Sequence, residues 1–179
     1  MKLNGIERKN GRTLFDTKML ATLGVLLAMD IVLTRFLSVS AWNIRIGFGF
    51  IPVVLAAMLF GPLPAAIVAA LADLLGAILF PTGPYFPGFT LTAFLTGLTF
   101  GLLIYKKQSV RNTVAAVVIV QFVLGLLLNT LWISMLYHSP FVPLLATRVV
   151  QSALLSVVQF VTIRVLAKLP ERIFGRAAA

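Results

Sequence analysis

The stretch TVAAVVIVQFVLGLLLNTLWISMLY, residues 113–137, contains 25 consecutive residues without a charged side chain. An α-helix rises about 1.5 Å per residue, so about 20 apolar residues cross a hydrocarbon core of about 30 Å. Because that core holds no water, each backbone N–H and C=O group must find its partner within the protein. Residues 113–137 therefore predict a transmembrane helix.

Five other apolar segments accompany this one, and together they predict a bundle of six transmembrane helices. They occupy residues 19–37, 47–60, 64–80, 89–105 and 143–169. The second and third segments of the chain are shorter than the usual span. We expect these two to be tilted, buried against neighbours, or placed where the bilayer is thin.

The composition excludes a soluble fold. Apolar residues make up 60% of the 179 residues and charged residues only 11%, against about 25% charged in a soluble domain. The predicted fold class is thus an all-α integral membrane protein. We divide the chain into a basic segment (1–17), one membrane domain (18–169) and a tail (170–179). The first apolar run is too long for a cleaved signal peptide, and Asp30 interrupts it.

The distribution of positive charge predicts the orientation of the bundle. The chain carries 15 Lys and Arg against 5 Asp and Glu. Most basic residues precede the first span, join the fourth and fifth spans, or follow the sixth, and with six spans these regions share one side. The positive-inside rule makes that side the cytoplasm, so both termini are expected there. The net charge of +10 does not indicate nucleic-acid binding, because no basic stripe with interleaved aromatics is present.

Three arginines do not follow this rule, and we interpret them as an anion site. Arg35, Arg45 and Arg148 fall at or near the outer ends of spans. A positive charge beside hydrocarbon needs a partner or water. Snorkelling to lipid headgroups is the alternative for each arginine taken singly. Asp30 lies five residues before Arg35, and we expect a local structural contact for it.

Polar side chains within the spans predict a cavity in the outer half of the bundle. Asp73 lies about 10 Å below the outer end of the third span at helical rise, and Asn129 lies at a similar depth in the fifth. Arg148 and Gln151 occupy the first turns of the sixth span, so all four side chains can meet. Interhelical hydrogen bonding is the alternative role of the two amides.

Aromatic side chains surround these polar groups, either as an interfacial belt or as the walls of the cavity. They are Trp42, Phe48, Phe80, Tyr85, Phe86, Phe89, Trp132 and Tyr137. The Pro- and Gly-rich loop at residues 81–88 is placed to cap the cavity. A flat heteroaromatic ligand with paired N–H donors suits the carboxylate of Asp73, and pendant carboxylates suit the arginines.

No catalytic constellation is visible in the sequence. The chain has no cysteine, which excludes thiol chemistry and Cys-based zinc sites. Its single histidine, His138, stands at a span end beside Ser139 and Pro140. Neither paired carboxylates nor a phosphate-binding Gly loop with Lys is present. We therefore predict a binding protein that is not an enzyme, uses no metal or cofactor, and does not hydrolyse ATP.

Several short motifs, in their order along the chain, resemble a known family. They are RIGFGFIP (45–52), FGP (60–62), ADLLG (72–76), FPTGPYFPGFT (80–90) and LNTLW (128–132). The set resembles the substrate-binding S components of energy-coupling-factor vitamin transporters over about residues 18–168. The last two motifs most resemble the folate-specific branch.

The resemblance implies a six-helix subunit of a bacterial plasma-membrane importer that binds folate from outside. It implies as partners a transmembrane coupling (T) component and two ABC-type ATPases, which supply the energy. The family's small-residue motif in the first helix, which meets the coupling subunit, corresponds here to Ala21, Gly24 and Ala28. The usual AxxxA form is replaced by Gly24-xxx-Ala28. Packing inside the bundle is the alternative for these three residues.

The resemblance and the cavity argument together give a set of expected ligand-binding residues. Asp73 and Asn129 are expected at the pterin edge, with Arg148 and Gln151 on the other side of the pocket and an outer arginine at the glutamate tail. The full set is Arg35, Trp42, Arg45, Phe48, Asp73, Phe80, Tyr85, Phe86, Phe89, Thr90, Asn129, Trp132, Tyr137, Arg148 and Gln151.

Two alternatives stay open at this point. One is an S component for another vitamin of the riboflavin or thiamine type, although three outer arginines do not suit cationic thiamine. The other is a membrane protein without a ligand, which no vitamin would stabilise against heat.

Overall fold

The computed structural model describes residues 17–41, 44–81, 83–106 and 108–168. Over these residues the chain forms six helices and one short hairpin. The elements are α1 (Thr17–Arg35), β1 (Val39–Ala41), β2 (Ile44–Ile46), α2 (Phe50–Phe60), α3 (Pro62–Leu79), α4 (Pro87–Ile104), α5 (Val110–Tyr137) and α6 (Phe141–Leu166). The all-α prediction is confirmed, with the hairpin as an addition.

Five of these helices, all but α2, are long and apolar enough to cross a membrane by length and composition. The helix α3 begins at Pro62 and has 18 residues, one more than the predicted segment at 64–80. The helix α2 has 11 residues, about 16 Å at helical rise, which is shorter than the hydrocarbon core of about 30 Å. Its side chains Val54, Ala56 and Ala57 are fully buried, as expected for a short segment enclosed by neighbours.

A glycine turn folds α3 back against α2. Gly61 has a φ of 90°, a backbone conformation in which a Cβ is strained. Pro62 follows in the first turn of α3, where its missing N–H has no helical partner to lose. One helix therefore ends and the next begins within one residue.

Two glycines bring α4 close to α3, and this pairing positions the site. A Cβ on Gly97 would collide with the backbone of Ala65, and a Cβ on Gly101 would collide with Pro62. Small residues at such positions allow close approach of helices in membranes. The contact fixes Asp73 of α3 relative to the start of α4.

The antiparallel hairpin β1–β2 joins α1 to α2, and the sequence analysis did not predict it. Ser40 pairs with Arg45 at its centre. Each strand has three residues, too few for an alternating pattern to stand out. The helix α2 begins at Phe50, three residues later than the apolar segment at Gly47 suggests.

The helix α5 contains an internal π-helical segment. Its 28 residues are α-helical over Val110–Val118, π-helical over Ile119–Leu128 and α-helical again over Asn129–Tyr137. The π-helix, with i to i+5 hydrogen bonds, is rare and frequently found at functional sites. This segment carries Gln121 and immediately precedes Asn129, and both residues line the central cavity.

Candidate ligand-binding cavity

A cavity of about 850 Å³ opens between α1 and the later helices. This volume lies within the range of pockets that enclose drug-sized ligands, about 300–1,000 Å³. Its lining extends along α5 from Tyr137 to Val120, roughly 25 Å at helical rise. The polar residues of the lining are Asp30, Thr34, Arg35, Ser38, Asp73, Thr92, Thr96, Gln121, Asn129, Tyr85, Tyr137, Ser139, Arg148, Gln151, Ser152 and Gln159.

A hydrogen-bond chain holds the carboxylate of Asp73. Thr90 Oγ1 donates to Asp73 Oδ2 at 2.8 Å, and the hydroxyl of Tyr85 lies 3.0 Å from Thr90 Oγ1. Tyr85 lines the cavity as well. The chain thus ties the loop before α4 to the acid on α3.

Arg35 of α1 crosses to the same part of α3. Its Nη2 donates to the backbone carbonyl of Asp73 at 3.4 Å. Gly76 makes room for this side chain, because a Cβ there would stand 2.7 Å from Arg35 Nε. The half-buried guanidinium therefore lies on the cavity wall.

Asn129 of α5 and Arg148 of α6 line the cavity, and each carries a buried polar atom that is unsatisfied. Asn129 Oδ1 and Arg148 Nη1 are both buried, and neither has a hydrogen-bond partner within the described ranges. Gln151, one turn after Arg148, is 8% exposed and also lines the cavity. A buried polar atom without a partner costs about 1–3 kcal/mol, so a ligand that pairs with these atoms gains from them.

Aromatic residues form part of the wall and its support. Phe89 and Tyr137 line the cavity. Behind them Phe86 packs between Phe89 and Trp132, with ring centroids 6.2 and 5.5 Å apart. Trp132 Nε1 donates to Thr92 Oγ1 at 3.0 Å.

The structure brings together most of the expected binding residues. Eight of them line the cavity: Arg35, Asp73, Tyr85, Phe89, Asn129, Tyr137, Arg148 and Gln151. Thr90, Phe86 and Trp132 contact residues of the lining, as described. The ring of Phe80 packs edge-on against Phe36 at 5.1 Å, and Phe48 lies 6.5 Å from Phe50, which lines the cavity.

The side chains of two further expected residues lie outside the described part of the chain. Trp42 lies outside the described residues. Arg45 belongs to β2, and its backbone position is given by its pairing in the hairpin. Among the arginines whose side chains the structure describes, Arg35 and Arg148 line the cavity.

The sequence analysis missed several polar residues of the lining. Asp30 has its local contact with Thr34, whose Oγ1 donates to Oδ1 at 2.8 Å, rather than with Arg35 as its spacing suggested. Gln121 Nε2 donates to Gln159 Oε1 at 3.1 Å across α5 and α6. The i, i+4 spacing of Asp30 and Thr34 is a signal that was available, because such residues share one face of a helix.

The small residues of α1 lie outside the bundle. Ala21, Gly24 and Ala28 are all exposed. A Cβ on Gly24 would meet nothing within 4 Å. Packing inside the bundle therefore does not account for these three residues, and they form a smooth outer face.

Comparison with known proteins adds a family match. The model of the family described as ECF transporter, substrate-specific component, matches residues 18–174. The folate transporter FolT of Clostridium novyi (strain NT) is 42% identical over 149 residues, which covers 83% of this chain and 87% of the relative. The folate transporter FolT of Leuconostoc mesenteroides subsp. mesenteroides is 31% identical over 151 residues, which covers 80% of this chain and 81% of that relative.

Two solved structures share the architecture. A crystal structure of FolT bound with folic acid matches with a TM-score of 0.80 at 35% identity, over 84% of this chain and 93% of that one. The S component of a bacterial ECF transporter matches with a TM-score of 0.61 at 26% identity, over 87% of this chain and 98% of that one.

Proposed function

This chain belongs to the substrate-specific components of ECF transporters, and from this premise we propose that it binds folate in its central cavity. The observation that carries the proposal is the composition of the cavity wall. A carboxylate, Asp73, stands on one helix, and buried, unpaired polar atoms of Asn129 and Arg148 stand on two others. The similarity to FolT proteins supports folate among the vitamins that such a wall would suit.

The chemistry of folate matches this wall group by group. Its pterin ring offers an amino group and a ring N–H side by side, which pair with the carboxylate of Asp73, and Asn129 completes the edge. The benzoyl ring packs against Tyr85 and Phe89. The glutamate tail carries two carboxylates, and the guanidinium group of Arg148 is their partner, since Arg35 lies beside Asp73 at the pterin end.

Energy for uptake comes from other subunits in this proposal. The sequence contains no phosphate-binding Gly loop with Lys, so a coupling T component and two ABC-type ATPases drive transport. The exposed face of Ala21, Gly24 and Ala28 on α1 is the proposed contact with the T component, because small residues permit close helix packing. Both termini lie in the cytoplasm of this arrangement, as the positive-inside rule indicates.

A thermal-shift experiment tests the proposed ligand. The purified protein in detergent, freed of bound ligand by exhaustive dialysis, is heated with folic acid, thiamine or riboflavin. A ligand at 100 times its dissociation constant adds about 2.7 kcal/mol to the stability of the state that binds it, so folic acid raises the Tm.

Thiamine and riboflavin, the two control vitamins, are expected to leave the Tm unchanged. A rise with riboflavin or thiamine and none with folic acid assigns the cavity to another vitamin. If none of the three shifts the Tm, the folate proposal is wrong.

A further inference from the structure

Asp30 is a carboxylate of the cavity wall that the proposed function leaves unused. Its side chain is 6% exposed, and it lines the cavity together with Asp73. Thr34 Oγ1 donates to its Oδ1 at 2.8 Å, and within the described part of the chain this is the one hydrogen bond that the side chain receives. A carboxylate has about four acceptor positions, so most of the acceptor positions of Asp30 are available to a ligand.

The carboxylate of Asp30 is held in a fixed position from two sides. Thr34 binds it from one turn further along α1. The backbone before α2 lies against it, since a Cβ on Gly49 would stand 2.8 Å from Asp30 Oδ1. A group that is already ordered loses little conformational freedom when a ligand binds.

Asp30 and Asp73 approach the same space from α1 and α3. Arg35, just over one turn after Asp30, donates to the backbone carbonyl of Asp73, which draws the two helices together at this point. Both side chains line this one cavity. Two acids in one cavity repel each other, and burial weakens their solvation. A ligand that donates N–H groups to both acids relieves both penalties.

We propose that Asp30 accepts the second N–H of the pterin's ring amino group, while Asp73 accepts the first N–H and the neighbouring ring N–H. This inference rests on the proposed function. The two N–H bonds of an amino group on a ring point in different directions. A carboxylate that accepts the ring N–H and the adjacent amino N–H therefore does not reach the second amino N–H. Two carboxylates on different helices satisfy all three donors, and Asp30 then selects for ligands with an exocyclic amino group.

A cycle of two variants and two ligands tests the assignment. The ligands are folic acid and its analogue with a methyl group in place of the ring amino group. Asp30→Asn weakens folic acid about tenfold or more but changes the affinity of the methyl analogue less than twofold, because the group that Asp30 contacts is missing. Asp73→Asn, the matched comparison, weakens both ligands, because its ring N–H partner is present in both.

The outcomes separate this inference from the proposed function. Equal losses for both ligands in Asp30→Asn, or no loss for either, overturn the role of Asp30 and leave folate binding intact. Failure of the unaltered protein to bind folic acid overturns both.

A second measurement uses the unaltered protein and so does not depend on the folding of a variant. Folic acid labelled with nitrogen-15 at the ring amino group is bound to the protein, and its two N–H protons are observed by NMR. Two separate, downfield N–H signals with slow solvent exchange support a pair of acceptors. If one of the two N–H protons has the chemical shift of a solvent-exposed proton and exchanges rapidly with water, Asp30 is not its acceptor.

Discussion

The carboxylate of Asp73 is the residue on which the proposed ligand contact most depends. Substitution of Asp73 by Asn keeps the shape of the side chain and removes its charge, so one of the paired N–H groups meets an amide donor instead of an acceptor. We expect the dissociation constant for folic acid to rise about tenfold or more, which corresponds to about 1.4 kcal/mol. Isothermal titration calorimetry of the purified protein measures this dissociation constant. An unchanged affinity would show that Asp73 does not contact the ligand.

Thr90 provides a matched test of how Asp73 is held. Thr90→Val removes the 2.8 Å hydrogen bond to Asp73 Oδ2 and keeps the volume of the side chain. We expect a loss of folate affinity of about threefold to tenfold, which is less than the full 1.5–3 kcal/mol of a hydrogen bond to a charged group, because Thr90 positions Asp73 and does not itself bind the ligand. Thr99→Val on the same helix is the control, because Thr99 Oγ1 donates to the backbone carbonyl of Leu95. Equal affinity losses in the two variants contradict the role of Thr90.

Arg148 is tested by a ligand that lacks the glutamate tail. Arg148→Gln is expected to weaken folic acid about tenfold or more, because the tail carboxylate loses a charged partner. The same substitution changes the affinity of pteroic acid, which ends before the glutamate, by less than twofold. The same pair of titrations on Arg35→Gln shows which arginine holds the tail. If Arg148→Gln weakens both ligands equally, Arg148 does not contact the tail.

The residues that sequence reasoning identified are those whose type is costly inside a membrane. Arg35, Asp73, Asn129 and Arg148 stand out in apolar spans because a charged or amide group there needs a partner, and all four line the cavity. The pairing of Gln121 with Gln159 was not predictable, because the π-helical segment changes which side chains of α5 share a face.

At the scale of the element, the contact between α3 and α4 depends on the absence of side chains. A Cβ on Gly97 would collide with the backbone of Ala65, so Gly97→Val forces the helices apart. We expect a loss of about 1–3 kcal/mol or more, typical of overpacking, measured as a lower Tm of the protein without ligand. Gly24→Ala is the control. A Cβ on Gly24 meets nothing within 4 Å, so its Tm should not fall.

The outer face of α1 separates binding from coupling. Gly24→Leu adds a bulky side chain where the described structure has open space, so neither the Tm nor the affinity for folic acid should change. Uptake of radiolabelled folate by cells that also express the T component and the ATPases should fall, because the side chain blocks close helix packing. Normal uptake by this variant contradicts the proposed docking face.

Element type was predictable from apolar length, whereas element detail was not. The bounds of α1 and α4 fall within two residues of the predicted segments, because a span of apolar residues has few alternatives to helix in lipid. The sequence did not predict the hairpin β1–β2 or the start of α2 at Phe50. Short strands carry little periodic signal, and apolar residues before Phe50 suit either a helix or a loop packed on one.

At the scale of the whole molecule, the cavity is closed at its end nearest the start of α5, opposite Tyr137. The hydrogen bond between Gln121 and Gln159 joins α5 to α6 there. Beyond it Phe100, Ile104 and Ile163 are fully buried. A ligand in the cavity therefore has packed protein below it, and its release on that side requires a rearrangement of the molecule or of its position in the membrane.

This closure predicts how the chain behaves without partners. In liposomes that contain the protein alone, bound radiolabelled folate should reach a plateau of about one molecule per accessible site, and excess unlabelled folate added outside should chase it. Addition of the T component and the ATPases, with ATP on their side of the membrane, should carry the label past that plateau into a pool that external folate no longer displaces. Without an energy source, bound folate dissociates to the side from which it was bound. Accumulation of label beyond the plateau with this chain alone would therefore contradict a binding subunit that is powered by other proteins.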